Sequence, residues 1–280
     1  MSGNLRIGRI SYLNLYPIFH SLERAGNGHE FVEGYPSMLN AMLRKGEIDV
    51  SPSSSIEYLR SPDRYELIDG HSISSDGEIR SILLISRCRI EDLDGKRIAS
   101  THQSGTSKVL LEIVIRKFYG LEAKIEETRL PLREAVAPAA KFDAFMAIGD
   151  EALLAGGAGK SDNKEGCRIR AIGERDCHVY DLGLIWKKNT GLPFVFALWI
   201  ANRKAISNKR EAFALFVKNL DEAKEYAAGH FEKIARECPF RGLGSDEIAD
   251  YWEIITYGFG NEEKKGLELF GHYAREMGLI

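Results

Sequence analysis

The sequence is poor in the residues that hold metals, bridge loops or grip phosphates. Four cysteines, Cys88, Cys167, Cys177 and Cys238, are scattered through 280 residues. No two stand in C-x2-C spacing, no histidine falls at a matching interval, and the seven histidines form no H-E-x-x-H pattern. A zinc site is therefore not expected, and unpaired thiols suit a reducing compartment. No G-x-G-x-x-G follows the first strand and no phosphate loop is present, which argues against a nucleotide cofactor. The run Ala155–Lys160 is rich in glycine but in the wrong order, and reads as a flexible connection. Basic residues do not outnumber acidic ones: 38 Lys and Arg face 41 Asp and Glu, for a net charge of -3. A nucleic-acid partner would need a basic stripe to neutralise phosphates. Long apolar runs are missing as well. The longest, Phe194–Ala201, falls far short of a membrane span, and the first residues lack the apolar core of a signal peptide. These absences lead us to expect a cytoplasmic protein with no metal, no nucleic-acid partner and no membrane. Nothing in the sequence bears on oligomeric state.

What is present fits a packed α/β protein. Hydrophobic residues make up 44% of the chain and charged residues 28%, enough apolar material for a core in one large or two ordinary domains. Leu5–Ile10 reads as a buried strand. Leu15–Arg24 has helical spacing, with Leu15, Phe19 and Leu22 on one face. Glu30–Gly34 reads as a strand, Ser37–Lys45 as a helix with Pro36 near its start and Gly46 closing it, Ile48–Ser51 as a strand and Ile56–Arg60 as a short helix. This alternation is the βαβ signature of a mostly parallel sheet. It recurs: strands at Ile79–Ser86, Arg97–Ser100, Lys124–Glu127, Phe142–Ile148 and Arg168–Ile172, helices at Thr106–Tyr119, Leu132–Ala140 and from Asp150, and a loop over Ala155–Gly166. After a last strand at Pro193–Ala201 the pattern turns wholly helical: Ser207–Ala228, Phe231–Cys238, Ser245–Tyr257 and Glu262–Met277. Two βαβ blocks before a helical tail suggest two lobes, residues 1–84 with 194–280 and residues 85–193. The long strands Ile79–Ser86 and Pro193–Ala201 would then form the hinge between them. A single continuous sheet is the alternative.

The polar residues of interest sit where strands give way to helices. These are Ser11–Asn14, Ser51–Ser55, Ser104–Ser107 and Ile148–Asp150. In open α/β sheets ligands bind outside the carboxyl ends of the strands, and helix N-termini there favour an anion. With a weakly acidic chain, such an anion depends on local dipoles and neutral donors. Each of these residues also suits an ordinary N-cap. Ser53, Ser54 and Ser55 are more hydroxyls than one cap needs. Ser81 lies in an otherwise apolar segment, where a buried hydroxyl needs a partner, be it a ligand or a backbone carbonyl. Asp150 is the carboxylate of this set, and is either a general base or a cap. His102 lies beside the Ser104–Ser107 turn, as a possible proton acceptor or a solvated loop residue.

Five segments carry a resemblance: Ile7–Asn14, Glu33–Asn40, Gly46–Tyr58, Ala147–Leu153 and Thr190–Ala197. As a set they resemble the chorismate dehydratase family of menaquinone biosynthesis, over residues 7 to about 200. The resemblance implies a two-lobed type II periplasmic-binding-protein-like fold with a cleft between lobes, and an enzyme of the futalosine route without metal or organic cofactor. Its implied substrate is chorismate, and the reaction loses water to give 3-[(1-carboxyvinyl)oxy]benzoate. The family's ligand-binding Asn and Ser map onto Asn14 and Ser81. Ser53, Ser54, Ser104, Thr106, Ser107 and Asp150 are further substrate-binding candidates by position. The base is either Asp150 or the substrate's own enolpyruvyl carboxylate. Two rivals remain: an intracellular binding or sensing protein of the same fold, and a later enzyme of the same route, whose Ser-Pro-Cys-like first turn is not matched by Ile10–Asn14.

Overall fold

The computed structural model describes residues 4–24, 26, 28–135, 141–156 and 177–280. The expected strand Arg168–Ile172, most of the loop over 155–166 and the second half of the helix expected over 132–140 lie outside these residues.

The first part of the chain builds β1 (Arg6–Ile10), a 3-10 turn (Leu13–Leu15), α1 (Tyr16–Arg24), β2 (Glu30–Gly34), α2 (Pro36–Lys45), β3 (Val50–Ser54), α3 (Ser55–Arg60) and β4 (Tyr65–Ser75). Pro36 enters α2 in its first turn, and Gly46 closes it at φ +76°, a left-handed conformation that only glycine adopts freely. The middle part builds β5 (Ile82–Ser86), β6 (Arg97–Thr101), α4 (Gly105–Ile113) running into a π turn (Val114–Phe118), β7 (Lys124–Thr128), α5 (Leu132–Ala135), β8 (Ala144–Ile148), α6 (Gly149–Gly156), β9 (His178–Asp181) and α7 (Leu182–Thr190). The chain then returns through β10 (Phe194–Asn202) to α8 (Arg210–Ala228), α9 (Phe231–Glu237), α10 (Ser245–Glu253) and α11 (Asn261–Glu276).

Among the described residues the strands form two sheets, ordered β2-β1-β3-β10-β4 and β7-β6-β8-β5-β9. In the first, β1 runs parallel to β2 and β3, and β10 lies antiparallel between β3 and β4. In the second, β6 runs parallel to β7 and β8, and β5 lies antiparallel to β8 and β9. Each sheet therefore takes its antiparallel inner strand from a chain arriving from the other lobe. The chain crosses at residues 76–81 and 191–193. The strands expected to bridge the lobes do not do so: β5 pairs wholly in the second sheet and β10 wholly in the first. The alternative of one continuous sheet is set aside.

Two departures from the sequence reading have local causes. β3 continues past Ser51 through Pro52, a residue that central strands usually exclude. It is tolerated because β1 and β3 share register only at Ile7 and Val50, so Pro52 lies where that ladder has lapsed. β4 is not among the expected strands, and Asp69-Gly70, a dipeptide typical of turns, lies inside it. Its pairing with β10 breaks between Leu67 and Ser72, and Gly70 stands in that break at φ +76°, so the dipeptide makes a bulge instead of a turn.

The three tryptophans, Trp186, Trp199 and Trp252, are fully buried. One extensive apolar core runs through both lobes and the C-terminal helices, and a smaller cluster around Phe142 and Phe145 sits in the second lobe.

Candidate functional site

A cleft between the lobes is lined by Ile10, Tyr12, Asn14, Ser54, Ser81, Ser104, Ser107 and Gly149, with Ile73, Ile148 and Phe196 among its apolar walls. Among the described residues, none that lines it is charged. The polar groups facing it are a carboxamide and hydroxyls, and the 3-10 turn, α4 and α6 all begin there. Helix starts add a positive dipole end to these neutral donors.

Asn14 is held by its neighbours on the helical tail. Trp252 Nε1 donates to the Leu13 carbonyl at 2.7 Å, and the Tyr257 hydroxyl donates to the Asn14 carbonyl at 2.8 Å. The Asn14 side-chain oxygen is buried with no partner. An unpaired buried amide is costly, and turning the carboxamide over presents its NH2 at the same place. The group is thus poised to meet a ligand as acceptor or donor.

Ser81 lies one residue before β5, at the end of the crossing segment. Arg80 beside it has φ +60°, alone among the described non-glycine residues in being left-handed. Strain of this kind persists only where the surroundings hold it. Here Asp181 does so, accepting from the Ile79 and Arg80 amides at 2.9 and 2.6 Å while capping α7 through the Leu184 amide at 3.0 Å. Burial pushes the Asp181 carboxyl up to about 6, against the pull of those amides. The Ser81 carbonyl accepts from the Gly149 amide at 2.7 Å, and its side chain hydrogen-bonds Tyr251. Burial raises the Tyr251 hydroxyl, so it stays neutral.

Ser104 caps α4, accepting from the Ser107 amide at 3.3 Å, and the two hydroxyls lie 3.0 Å apart. The remaining candidates stand back from the cleft. Ser53 is fully buried in β3 with its hydroxyl unpartnered. Thr106 accepts from the Ile56 amide of the other lobe at 3.1 Å and lies 3.3 Å from the Ser55 hydroxyl. Asp150 accepts from the Leu13 amide of the other lobe at 2.9 Å. Burial raises its carboxyl, with the Leu13 N–H working against that rise. The amide it meets thus belongs to the opposite lobe's turn and not to α6, in whose first turn Asp150 stands.

Tyr12 was not singled out in the sequence. Its ring covers Gly149, where a Cβ would come within 3.1 Å of it and where φ is +60°. Its hydroxyl donates to Gln103 across the cleft at 2.6 Å. Burial, then the charges of Asp150 and Glu151, push that hydroxyl far up, so it is a neutral donor. Ile10 and Tyr12 also line a hollow of about 350 Å³ on the outer side, walled by Arg9, Tyr16, Glu33 and Phe240. The cleft proper holds about 60 Å³, room for a few waters.

Two mixed sheets with a cleft between them define a fold class, and solved structures share that fold. A protein of Archaeoglobus fulgidus matches with a TM-score of 0.67 at 21% identity, covering 99% of this chain and 98% of its own. The periplasmic aliphatic sulphonate binding protein of Escherichia coli matches with a TM-score of 0.62 at 17% identity, over 100% and 94%. The fold is a two-lobed, periplasmic-binding-protein-like α/β fold. The chain belongs to the family described as menaquinone biosynthesis, whose model matches residues 5–276. A relative, the chorismate dehydratase of Thermus thermophilus, is 28% identical over 276 residues, 98% of this chain and 95% of its own. Among the described residues no cluster of side chains is suited to a metal, and no helix is long and apolar enough to cross a membrane.

Proposed function

We propose that the protein is a cytoplasmic chorismate dehydratase, a carbon–oxygen lyase that converts chorismate to 3-[(1-carboxyvinyl)oxy]benzoate and water. The observation that carries this reading is the cleft itself: apolar walls for a ring, and neutral donors from both lobes for carboxylates, without a fixed charge. The full-length likeness to a chorismate dehydratase supports the choice of substrate.

Aromatisation supplies the driving force. The ring carboxylate is conjugated with the position that loses its proton. Proton removal gives a dienolate whose charge spreads onto that carboxylate, and the neighbouring hydroxide then leaves. Asn14 and Ser81, with Ser54, Ser104 and Ser107 around them, donate to the carboxylates and stabilise the developing charge, which is commonly the largest catalytic term. Among the described residues no side-chain base lines the cleft, and one Asp150 oxygen is engaged by the Leu13 amide. The substrate's own enolpyruvyl carboxylate therefore takes the proton, and the protein fixes its pose. The ligand gains room when the Tyr12 side chain swings from Gln103 and joins the cleft to the outer hollow.

Mass spectrometry of a chorismate incubation tests the reading. Catalytic loss of one water is expected. Stoichiometric binding without product would make the protein a solute-binding or sensing module, the role of the sulphonate-binding relative in fold. Asn14→Ala and Ser81→Ala should each lower turnover by about 10²- to 10³-fold, the usual loss for one charge-stabilising donor. Unchanged turnover in both would place the site elsewhere.

A further inference from the structure

We propose that Asp150 and Thr106 are interlobe caps: second-lobe side chains that complete the first-lobe helix ends next to Asn14 and Ser54 and so stabilise the closed arrangement of the lobes. This rests on the dehydratase reading for its kinetic consequence, though not for its geometry.

A helix start exposes amides that need acceptors, and the residue before the helix usually supplies one. Two helix starts on the first-lobe side of the cleft have none of their own. Tyr12 precedes the 3-10 turn and Ser54 precedes α3, and neither side chain caps its helix. The missing acceptors come from across the cleft, Asp150 to the Leu13 amide at 2.9 Å and Thr106 to the Ile56 amide at 3.1 Å. Thr106 is spare for this task because Ser104 already caps α4. The Thr106 side chain is buried at 1% exposure, and neither residue lines the cleft, so removing either takes no contact from the ligand. Leu13 adjoins Asn14, and Ile56 lies two residues after Ser54.

The consequence is a coupling between closure and site assembly. With the lobes apart, both amides and both acceptors face water and lose little. With the lobes together they leave water and must pair with each other. Deleting an acceptor therefore penalises the closed form alone. The competent fraction falls, apparent affinity falls by the same factor, and saturating substrate restores closure. KM should rise while kcat holds.

Two arms test this. In the first, Asp150→Ala and Thr106→Val should each raise KM for chorismate about 5- to 100-fold, the range for one buried hydrogen bond lost, with kcat within about twofold. Asp150→Asn and Thr106→Ser keep an acceptor oxygen and should return KM toward wild type. A kcat loss of about 10²- to 10⁴-fold in both Asp150→Ala and Asp150→Asn would instead mark a general base and overturn the proposal. The second arm needs no substrate. Amide exchange at Leu13 should quicken in Asp150→Ala, and at Ile56 in Thr106→Val, with β1 and β6 amides unchanged. Unchanged exchange at both caps overturns the proposal. A wild-type protein that leaves chorismate intact while both amides respond sinks the dehydratase reading and leaves the caps standing.

Discussion

Asp181 is a residue whose charge state bears on the fold around the cleft. It holds the left-handed Arg80 and with it the backbone that delivers Ser81. Its folded value of about 6 lies above the ordinary 3.8 of an unfolded chain. Between those two values the folded state keeps a proton that the unfolded state has released. Stability from this group is therefore full below about pH 4 and is lost as pH rises through 6, a change of about 3 kcal/mol. Asp181→Asn does not titrate. Urea unfolding at a series of pH values should show the wild-type advantage over Asp181→Asn shrinking by about that amount from pH 4 to pH 7. An advantage independent of pH would mean that the carboxyl titrates at its ordinary value.

At the scale of elements, two packing contacts set where the lobes' framework can and cannot give. α11 lies on the entry to β10 with Gly266 against the Pro193 carbonyl oxygen, so any Cβ there meets backbone that has nowhere to go. Gly266→Ala should cost about 1–3 kcal/mol, the range for overpacking, seen as a lower urea midpoint with an unchanged slope. α3 is anchored from below by Glu57, which takes the Arg44 guanidinium fork at 2.9 and 2.8 Å and the Tyr65 hydroxyl at 2.5 Å. Burial alone would raise the Glu57 carboxyl, but those partners outweigh it and hold it below its usual value. Glu57→Ala leaves the fork and the hydroxyl unpaired and should cost about 3 kcal/mol. A loss under about 0.5 kcal/mol, the scale of an exposed pair, would show that Arg44 finds water instead.

For the whole molecule, the cleft lies between two lobes that share the extensive apolar core, the crossings at residues 76–81 and 191–193, and hydrogen bonds across the cleft. Tyr12 to Gln103, Asp150 to Leu13, and Thr106 to Ile56 are such bridges. The Ser37 amide and hydroxyl add two more, to the Gln103 and His102 carbonyls. A ligand that touches both lobes ties them further. At about 100 times its dissociation constant the benzoate expected from the proposed reaction should stabilise the wild-type protein by about 2.7 kcal/mol. Thermal unfolding with and without product checks this, and the gain should largely vanish in Asn14→Ala.

The sequence by itself determined the lobes' building blocks, because strand and helix periodicity is local. Glu30–Gly34 and the C-terminal helices fall where their apolar spacing puts them, and the small polar turns at Asn14, Ser54, Ser81 and Ser104–Ser107 do meet at one cleft. Tertiary structure alone decided which turn residues face the cleft and which face the other lobe. Asp150 and Thr106 carry the local pattern of helix-start residues, yet the amides they satisfy lie more than 40 positions away in the chain. Tyr251 and Trp252, on the apolar face of α10, and Tyr257 beyond its end fix Ser81 and the Asn14 turn, and none carries a local sign of that role. Hydrogen bonds between distant segments depend on how the two sheets are placed against each other, and that placement follows from the summed packing of the core, with no signature at any single position.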